Sequence, residues 1–406
     1  MSLIVVLSDD SAVRLNLLPL CATRAVGNLR VGICTLNEKW ERIFDTQLIY
    51  LTEDYLAPNF PSFDSLKQGG GHENNEDIEY LVIKSNILPN EPLIEELKNL
   101  KNGEVLLLED NWLAYKTTDR EIASVYKEVD LKAVQSKIES HYINYPEDIF
   151  IQNKAQILFD FNLLTKNRKS QPISKDNTVY GDWIFVEKGA KLVGVSLNSL
   201  EGPIYIGQNA IIEEGSFLKG YTAIGDRTRI KTGSRLYANC SIGPDCTVAG
   251  EINNSVIWGN TAKGHEGYLG CSVIGQGCNI GAGSSTSNLK NNWSTVRLFD
   301  YSMNNYRDTQ RQKCGLIMGD FSMVGINSSF KTGAVIGVGS QIAISNFIPK
   351  FVADFTWLTD TEQTTYIFDK FEKMMENRVK LGLQLTFTDI SIFRYIFEQS
   401  SKWRGK

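Results

Sequence analysis

The feature that most constrains the fold is a six-residue repeat of aliphatic side chains between residues 206 and 248. Eight successive positions at this spacing hold Ile, Leu or Val: Ile206, Ile212, Leu218, Ile224, Ile230, Leu236, Ile242 and Val248. A period of six fits neither an α-helix, which repeats every ~3.6 residues, nor a simple strand, which repeats every ~2. It is the period of a hexapeptide β-helix, in which three hexads close one triangular coil and the aliphatic residues stack inside.

Glycines mark the corners of these coils. Gly207, Gly225 and Gly243 follow aliphatic positions at intervals of eighteen residues, and a corner without a side chain avoids a clash with the next coil. The repeat begins near Val186 and blurs between residues 251 and 270. It returns at Ile274, Ile280, Met318, Val324, Phe330, Ile336 and Ile342. This extent predicts about eight to nine coils.

Two segments are predicted to leave the coil: a small loop at Ser196–Gly202 and a long polar loop at Ser285–Cys314. After Pro349 the pattern becomes helical. Thr359–Glu362 has the sequence of a capping box, and apolar residues follow it at helical spacing: Ile367, Phe371, Met374, Met375 and Val379. A second short helix is predicted at residues 390–397. Such helices need an apolar surface, from the β-helix or from a neighbouring subunit, and they commonly cap the open end of a coil stack.

Residues 1 to about 165 have the mixed pattern of an α/β region. Leu3–Leu7 is a strand-like apolar run, and residues 93–100 have helical spacing. A polar linker follows at residues 166–172. The predicted domains are an α/β domain at 1–170, a β-helix at 171–350 and a helical C-terminal tail at 351–406.

Composition excludes several classes of protein. The net charge of −5 and a pI near 5.5 argue against a nucleic-acid-binding surface. No apolar run approaches the ~20 residues of a membrane span, and the N-terminus lacks the pattern of a signal peptide. The seven cysteines are scattered without a close CxxC pair, so no zinc site is expected. We expect reduced thiols in a cytoplasmic protein.

Residues 262–284, AKGHEGYLGCSVIGQGCNIGAGS, carry a recognisable motif. This stretch resembles the acetyltransferase half of the bifunctional N-acetylglucosamine-1-phosphate uridylyltransferase/glucosamine-1-phosphate acetyltransferase. That family has a KxGHxxYxG segment, then V/I-G-x-x-x-N-I-G-A-G and a downstream asparagine loop. The lysine is shifted by one place, to Lys263. The matching positions are Gly264, His265, Tyr268, Gly270, Asn279, Gly281, Ala282, Gly283 and Asn288.

Other segments resemble a group of sugar nucleotidyltransferases related to that bifunctional enzyme. They are LLPLxxTRxxxxLRVGIxTxxEKW at residues 17–40, EGPIYIG at 201–207, NNSVIxG at 253–259 and SNLKNN at 287–292. The resemblance implies that the β-helix is left-handed. It also implies a homotrimer with the acyl-transfer site between subunits, and acetyl-CoA or another acyl-CoA as cosubstrate.

By this resemblance His265 is the general base. Amide formation needs an amine without its proton, and an imidazole titrates near working pH. A lone histidine in a repeat is otherwise a structural residue. Gly264 and Gly267 flank it and would let the backbone approach a ligand closely. Arg235 lies thirty residues earlier, where the family keeps a phosphate-binding arginine; the alternative is a solvated corner residue.

The remaining implied site residues bind sugar or CoA. Tyr268, Asn279 and Asn288 would contact the sugar, although asparagines also form internal ladders and turns. Ala282 and Ala343 are small enough for the thin arm of CoA to lie along the coil, but they are ordinary corner residues too. The family has a second phosphate-binding lysine where this chain has Asn253. Cations of the long loop would replace it or meet CoA phosphates: Arg297, Arg307, Arg311 and Lys313.

The N-terminal half departs further from the nucleotidyltransferase pattern. The family loop LxGGxGTRL corresponds to residues 7–15 here, in which Arg14 is kept and the glycines have become Asp10 and Ala12. Arg24 fits the following segment, so Arg14 and Arg24 are candidate residues of a degenerate nucleotide site. A phosphate loop works through bare backbone N–H groups, and Asp9 and Asp10 would bring negative charge instead.

The family's magnesium-binding aspartate corresponds to Asn86, a poor ligand for a hard cation. We therefore expect nucleotidyl transfer to be lost or altered, with magnesium needed only if it persists. The leading hypothesis is CoA-dependent N-acyl transfer to an amino sugar phosphate or a nucleotide-linked amino sugar. The alternatives are a sugar-1-phosphate nucleotidyltransferase and a non-catalytic sugar-phosphate-binding scaffold. The expected partners are small molecules, with no nucleic acid and no membrane.

Overall fold

The structure is a computed structural model that describes residues 2–63, 78–124, 131–138, 141–380 and 387–404. The chain divides into two compact units. The first consists of Met1–Leu15, Arg24–Leu29 and Cys34–Asn144. The second consists of Asn16–Thr23, Arg30–Ile33 and Tyr145–Lys406. None of the described helices is long and apolar enough to cross a membrane.

The first unit is built on a mixed six-stranded sheet. Its strands lie in the order Leu48–Leu51, Ser2–Ser8, Ile78–Lys84, Asn111–Thr117, Glu104–Leu108, Lys132–Gln135. Ser2–Ser8 pairs in parallel with both neighbours, and such a central strand has to be apolar on both faces. This is why the run Leu3–Leu7 predicts it correctly.

Helices of the first unit begin at clear capping signals. Leu36–Phe44 starts after Thr35, which forms a capping box with Glu38. Glu91–Asn99 starts after Asn90, whose Oδ1 accepts a hydrogen bond from the Leu93 N–H at 2.9 Å, and it confirms the helix predicted at 93–100. Among the described residues, helices also form at Ser11–Leu17 and Arg120–Ser124, and short 3₁₀ turns form at Val26–Asn28 and Asp54–Leu56.

The second unit contains a parallel β-helix with three walls, consistent with the left-handed form. The first wall contains Thr178–Tyr180, Ser196–Asn198, Phe217–Lys219, Arg235–Leu236, Glu251–Asn253 and Tyr268–Gly270, and later Ser285–Thr286, Ser329–Phe330 and Phe347–Ile348. The second wall contains Ile184–Val186, Ile204–Ile206, Thr222–Ile224, Cys240–Ile242, Val256–Ile257, Val273–Ile274, Ile317–Met318, Val335–Ile336 and Phe351–Val352. The third wall contains Lys191–Leu192, Ile211–Ile212, Arg229–Ile230, Thr247–Val248, Ala262–Lys263, Asn279–Ile280, Met323–Val324, Gln341–Ala343 and Thr356–Thr359, and Gln363–Thr365 joins its end antiparallel.

The aliphatic residues of the hexads form one continuous core inside the coils, as the period predicts. Two details of the sequence prediction are wrong. Ser196–Asn198 is a first-wall strand with Leu197 in the core, and the supposed loop is confined to the residues after it. The blurred region 251–270 is regular, because Ile242 pairs with Ile257, fifteen residues later instead of eighteen. The next coil is also short, because Ile257 pairs with Ile274, seventeen residues later. Two short coils thus shift the period without breaking the stack.

Three additions complete the second unit: a helix before the coils, a hairpin in the long loop and the C-terminal helices. Helix Pro146–Thr165 contacts the second wall. The long loop contains an antiparallel hairpin of Arg297–Asp300 and Asn305–Asp308. The seven cysteines of the chain are all buried and free.

The C-terminal helices are Phe368–Lys380 and Phe387–Gln399, followed by a 3₁₀ turn at Ser400–Trp403. They pack aromatic rings on the end of the β-helix: Phe355 meets Phe371 and Phe397 at ring-centroid distances of 5.0 and 5.3 Å. The predicted apolar surface is therefore supplied within the chain. The predicted capping box is wrong, because Thr359 and Glu362 form the tight turn between the last two strands of the third wall. Those strands lie beyond residue 350, where the sequence placed the start of the tail.

Asp354 gives a testable stability effect. Its carboxyl is buried, its Oδ1 accepts the Val338 N–H at 2.7 Å, and burial raises its pKa from 3.8 to about 6. The folded state therefore holds this proton more tightly than the unfolded chain, so stability falls as pH rises from about 4 to about 6. We expect Asp354→Asn, which keeps the acceptor, to raise the free energy of unfolding at pH 7 by about 3 kcal/mol.

Denaturant unfolding at pH 7 and at pH 3.5 measures this difference. The gain should vanish at the lower pH, where the native carboxyl is also neutral. Asp226→Asn is the matched control, since Asp226 accepts the Gln208 N–H at 2.7 Å from a less buried corner and should change little. An equal gain at both pH values would show that the Asp354 charge is not the cause.

Candidate functional site

The corner from the third wall to the first wall, residues 264–267, carries His265. The side chains of His265 and Glu266 are exposed. Their main chain is held from both sides: Lys263 Nζ donates to the His265 carbonyl oxygen at 2.6 Å, and the Gly283 N–H donates to the Glu266 carbonyl oxygen at 3.1 Å. The corner is therefore a surface feature with an anchored backbone.

Glycines allow the neighbouring coils to close on this corner. Gly267 has φ +134°, and a Cβ there would collide with the carbonyl oxygen of Ser284. Gly250, one coil earlier, has φ +89°, and a Cβ on it would lie 3.1 Å from the His265 carbonyl oxygen. Both conformations disfavour residues with a side chain. From the sequence, Gly267 was expected to let a ligand approach the backbone. In the structure, its lack of a side chain makes room for Ser284 of the next coil.

Tyr268 and Asn288 form a hydrogen-bonded pair on the first wall. Asn288 Nδ2 donates to the Tyr268 hydroxyl at 3.0 Å, and a side chain at Gly270 would collide with that hydroxyl. Burial raises the pKa of Tyr268 above its ordinary value. The phenol therefore stays neutral at physiological pH, and its proton is available for a ligand oxygen. Two of the predicted sugar contacts thus lie together, from segments twenty residues apart.

Arg235 lies on the first wall and contacts the His265 corner through Glu266. Its Nη2 donates to Glu266 Oε2 at 3.0 Å, and the two side chains are 42% and 69% exposed. An ion pair this exposed contributes little to stability. A phosphate, which accepts two parallel hydrogen bonds from a guanidinium, would compete well for the arginine.

Asn279 and Ala282 lie one coil beyond His265, and Ala343 lies two coils further along the same wall. Asn279 is exposed in the third wall, where Ala262 and Met323 are its register partners. Ala282 is half-buried at the following corner, and Ala343 is exposed. These residues follow the outer surface of the third wall.

The first unit holds Arg14 in a closed network around Asp9. The Asp9 carboxylate accepts hydrogen bonds from Arg14 Nη1 at 2.7 Å and Thr52 Oγ1 at 2.6 Å, and from the Val26 N–H at 3.1 Å. Both members of the ion pair are buried, with side-chain exposures of 7% and 2%. The groups that could receive a phosphate, a guanidinium and a backbone N–H, thus hold an anion of the chain itself.

Arg24 and Asn86 are also buried in the first unit. Arg24 Nη1 donates to Asn28 Oδ1 at 3.2 Å, and Asn86 Nδ2 donates to Asn144 Oδ1 at 2.9 Å. A neutral amide engaged in this way does not fit a magnesium ligand. Throughout the described ranges, no group of three or more His, Cys, Asp or Glu side chains could hold a metal ion.

Sequence reasoning gave no role to two charged residues at this corner. Glu266 was passed over because its partner Arg235 lies on an earlier coil. Lys263 stood in the blurred region, yet the spacing Ile257, Lys263, Leu269 is six and identifies it as an inward position. The loop cation Arg307 does not reach toward a ligand, because it donates to Glu147 and Asp300.

Parts of this chain are similar in sequence to known proteins. Residues 5–169 match the family model described as sugar nucleotidyl transferase. The bifunctional protein GlmU of Methanocaldococcus jannaschii is 31% identical over 122 residues, which are 30% of this chain and 27% of that protein. The chain is similar to GlmU over that stretch. The GlmU of Methanococcus maripaludis is 28% identical over 196 residues, covering 46% of this chain and 45% of the relative.

These matches confirm the resemblance found in the motifs, although the chain spans less than half the length of either GlmU relative. Among solved structures, the polySia-specific acetyltransferase NeuO aligns with 51% of this chain and 100% of its own, at 17% identity and a TM-score of 0.26.

Proposed function

We propose that this chain transfers an acyl group from acyl-CoA, with acetyl-CoA the first candidate, to the amine of a phosphorylated or nucleotide-linked amino sugar. The observation that carries the proposal is the His265 corner, where an exposed imidazole within the GlmU-like motif has an anchored main chain. A base held in this way loses less entropy when it aligns with a substrate.

In the proposed reaction, His265 accepts a proton from the acceptor amine. The amine nitrogen attacks the thioester carbonyl, the new C–N bond forms, and the C–S bond breaks. The CoA thiolate leaves and takes up a proton, so the imidazole returns to its neutral form. A correctly placed general base typically contributes about 10²–10⁴ to such a rate.

The neighbouring residues have distinct proposed roles. Arg235 would exchange Glu266 for the phosphate of the acceptor, and the Tyr268–Asn288 pair would bind sugar hydroxyls together with Asn279. Ala282 and Ala343 leave room for the CoA arm along the third wall. In a homotrimer, His265 would lie near a subunit boundary, and light scattering at micromolar concentration tests this. A monomer would contradict it.

Nucleotidyl transfer is the second candidate, because residues 5–169 match the sugar nucleotidyl transferase family. Two observations count against it: Asp9 occupies the hydrogen bonds that a phosphate would need, and Asn86 does not fit a magnesium ligand. We expect no pyrophosphate release from UTP, magnesium and sugar 1-phosphates. Robust pyrophosphate release would support nucleotidyl transfer and would show that Asp9 does not block the binding of a phosphate.

The deciding experiment measures thiol release from acetyl-CoA and longer acyl-CoAs against a panel of amino sugar phosphates and nucleotide-linked amino sugars. We expect acceptor-dependent turnover with at least one member. If no acceptor gives turnover and no CoA binding is detected by calorimetry, the acyl-transfer proposal fails. A non-catalytic sugar-phosphate-binding scaffold is then the remaining reading of the β-helix.

A further inference from the structure

Lys263 occupies an inward position of the β-helix core. The register of the third wall aligns nine inward residues in one column: Leu192, Ile212, Ile230, Val248, Lys263, Ile280, Val324, Ile342 and Leu358. Eight of them are Leu, Ile or Val. The ninth is a lysine with only 1% of its surface exposed.

A lysine side chain at this buried position is unfavourable for the stability of the fold. Taking an ammonium group out of water costs free energy unless its donors are satisfied, and burial lowers the pKa of Lys263 from 10.5 to about 8. Aliphatic residues fill the same place in the coils before and after it. The position in the core therefore does not explain why this residue is a lysine. The hydrogen bonds of its ammonium group do.

The ammonium group reaches back to the main chain of the His265 corner. Lys263 Nζ donates to the carbonyl oxygens of His265 at 2.6 Å and Ala249 at 3.3 Å. A second amine holds the preceding residue, because Lys231 Nζ donates to the Gly264 carbonyl oxygen at 2.9 Å. Two consecutive carbonyls of the corner are thus fixed by lysines from different coils. Glu266, which follows, is the charged group that favours the protonated form of Lys263.

We propose that Lys263 is a positioning residue that fixes the backbone of His265 from inside the coil, so that the imidazole meets the acceptor amine in one orientation. The inference rests on the proposed acyl transfer for its effect on rate. It does not give Lys263 contact with substrate, because the side chain is enclosed by the core. Arg235 contacts the same corner from outside, through Glu266.

The test replaces Lys263 with methionine, which fills a similar volume and has no donor. We expect kcat for acyl transfer to fall by about 10²-fold, the loss that a misplacement of ~1 Å can cause. The KM for acyl-CoA should stay within about twofold. The melting temperature should be unchanged or higher, because the desolvated amine is gone. Ile212→Met, in the same column three coils away, is the matched control and should retain kcat.

A fall in kcat without a fall in melting temperature distinguishes a positioning role of Lys263 from a role in packing the core. Wild-type kcat in Lys263→Met would overturn the proposal. So would a lower melting temperature together with a parallel rise in KM, which is the result of a purely structural lysine. Lys231→Met, which removes the hydrogen bond to Gly264, should lower kcat in the same direction and provides a second variant if Lys263→Met folds poorly.

A spectroscopic readout separates this inference from the proposed function. The chain has three histidines, so the imidazole C–H signal of His265 can be assigned in an NMR spectrum by its loss in His265→Gln. In Lys263→Met that signal should shift or broaden while the other two histidine signals stay in place. If wild type shows no turnover, the acyl-transfer proposal fails. A shifted His265 signal in Lys263→Met still supports the positioning role of Lys263. An unmoved signal overturns it.

Discussion

Replacing His265 with glutamine is expected to lower kcat for acyl transfer by about 10²–10⁴, the usual contribution of a general base. Glutamine preserves much of the size and polarity of the side chain but cannot take a proton from the acceptor amine. The His265 side chain is exposed and its main chain is held through the carbonyl, so the substitution should leave the fold intact. Thiol release at saturating acyl-CoA and acceptor measures the effect.

His141→Gln is the control for this experiment. His141 is exposed in the first unit, where its carbonyl oxygen accepts the Leu88 N–H at 2.9 Å, and its replacement should leave kcat unchanged. A His265 variant that changes only KM would show that the residue binds substrate without acting as the base.

The β-helix could be predicted from sequence because one side chain in six points into a narrow core, where aliphatic residues of successive coils stack on one another. The prediction failed where a coil is shorter than eighteen residues. The coil from Ile242 to Ile257 has fifteen residues instead of eighteen. The phase of the period therefore changes, while the stacking of the inward residues is preserved. Residue spacing shows a period only while successive coils keep the same length.

The motif named candidate site residues but could not give the contacts between them. The motif gave His265, Tyr268 and Asn288. It could not show that Tyr268 and Asn288 share a hydrogen bond, because that depends on how many residues each coil contains. A side chain at one corner can pair with another that is one or two coils away.

Charges in the first unit show the same limit. From the sequence, Asp9 and Asp10 were expected to place negative charge at the phosphate loop. In the structure, Asp10 caps helix Ser11–Leu17 through the Ala12 and Val13 N–H groups, and Asp9 turns to Arg14 and the Val26 N–H. Local propensity predicts a capping aspartate. The position of Thr52 and Val26, which completes the Asp9 network, is set by the tertiary fold.

The tail illustrates competition between two local structures. Thr and Glu three residues apart are typical of a helix start, but the same Thr359 hydroxyl accepts the Glu362 N–H in a hairpin turn. The preceding strand Thr356–Thr359 adds to the third wall, and this pairing favours the hairpin. The helix then begins later, at Phe368.

The largest expected loss of stability follows from the ion-pair network that joins helix Pro146–Thr165 to the hairpin of the long loop. Arg307 Nη2 donates to Glu147 at 2.7 Å, its Nε donates to Asp300 at 3.1 Å, and its guanidinium lies 3.7 Å from the centre of the Tyr145 ring. Glu147 is nearly inaccessible to solvent, and burial raises its pKa even though Arg307 opposes the shift. Removing one partner of such a network leaves the other buried without full compensation.

We therefore expect Glu147→Ala to lower the free energy of unfolding at pH 7 by about 3 kcal/mol, measured by denaturant unfolding. Glu147→Gln is the matched variant. Its amide oxygen still accepts from Arg307, and it lacks the carboxylate whose burial is unfavourable, so its loss should stay below about 1 kcal/mol. Because the raised pKa makes native Glu147 less favourable as it ionises, the difference between wild type and Glu147→Gln should shrink as pH rises from about 4 toward neutrality. Equal losses for the two variants would mean that the charge, rather than the hydrogen bond and the filled volume, holds the hairpin to the helix.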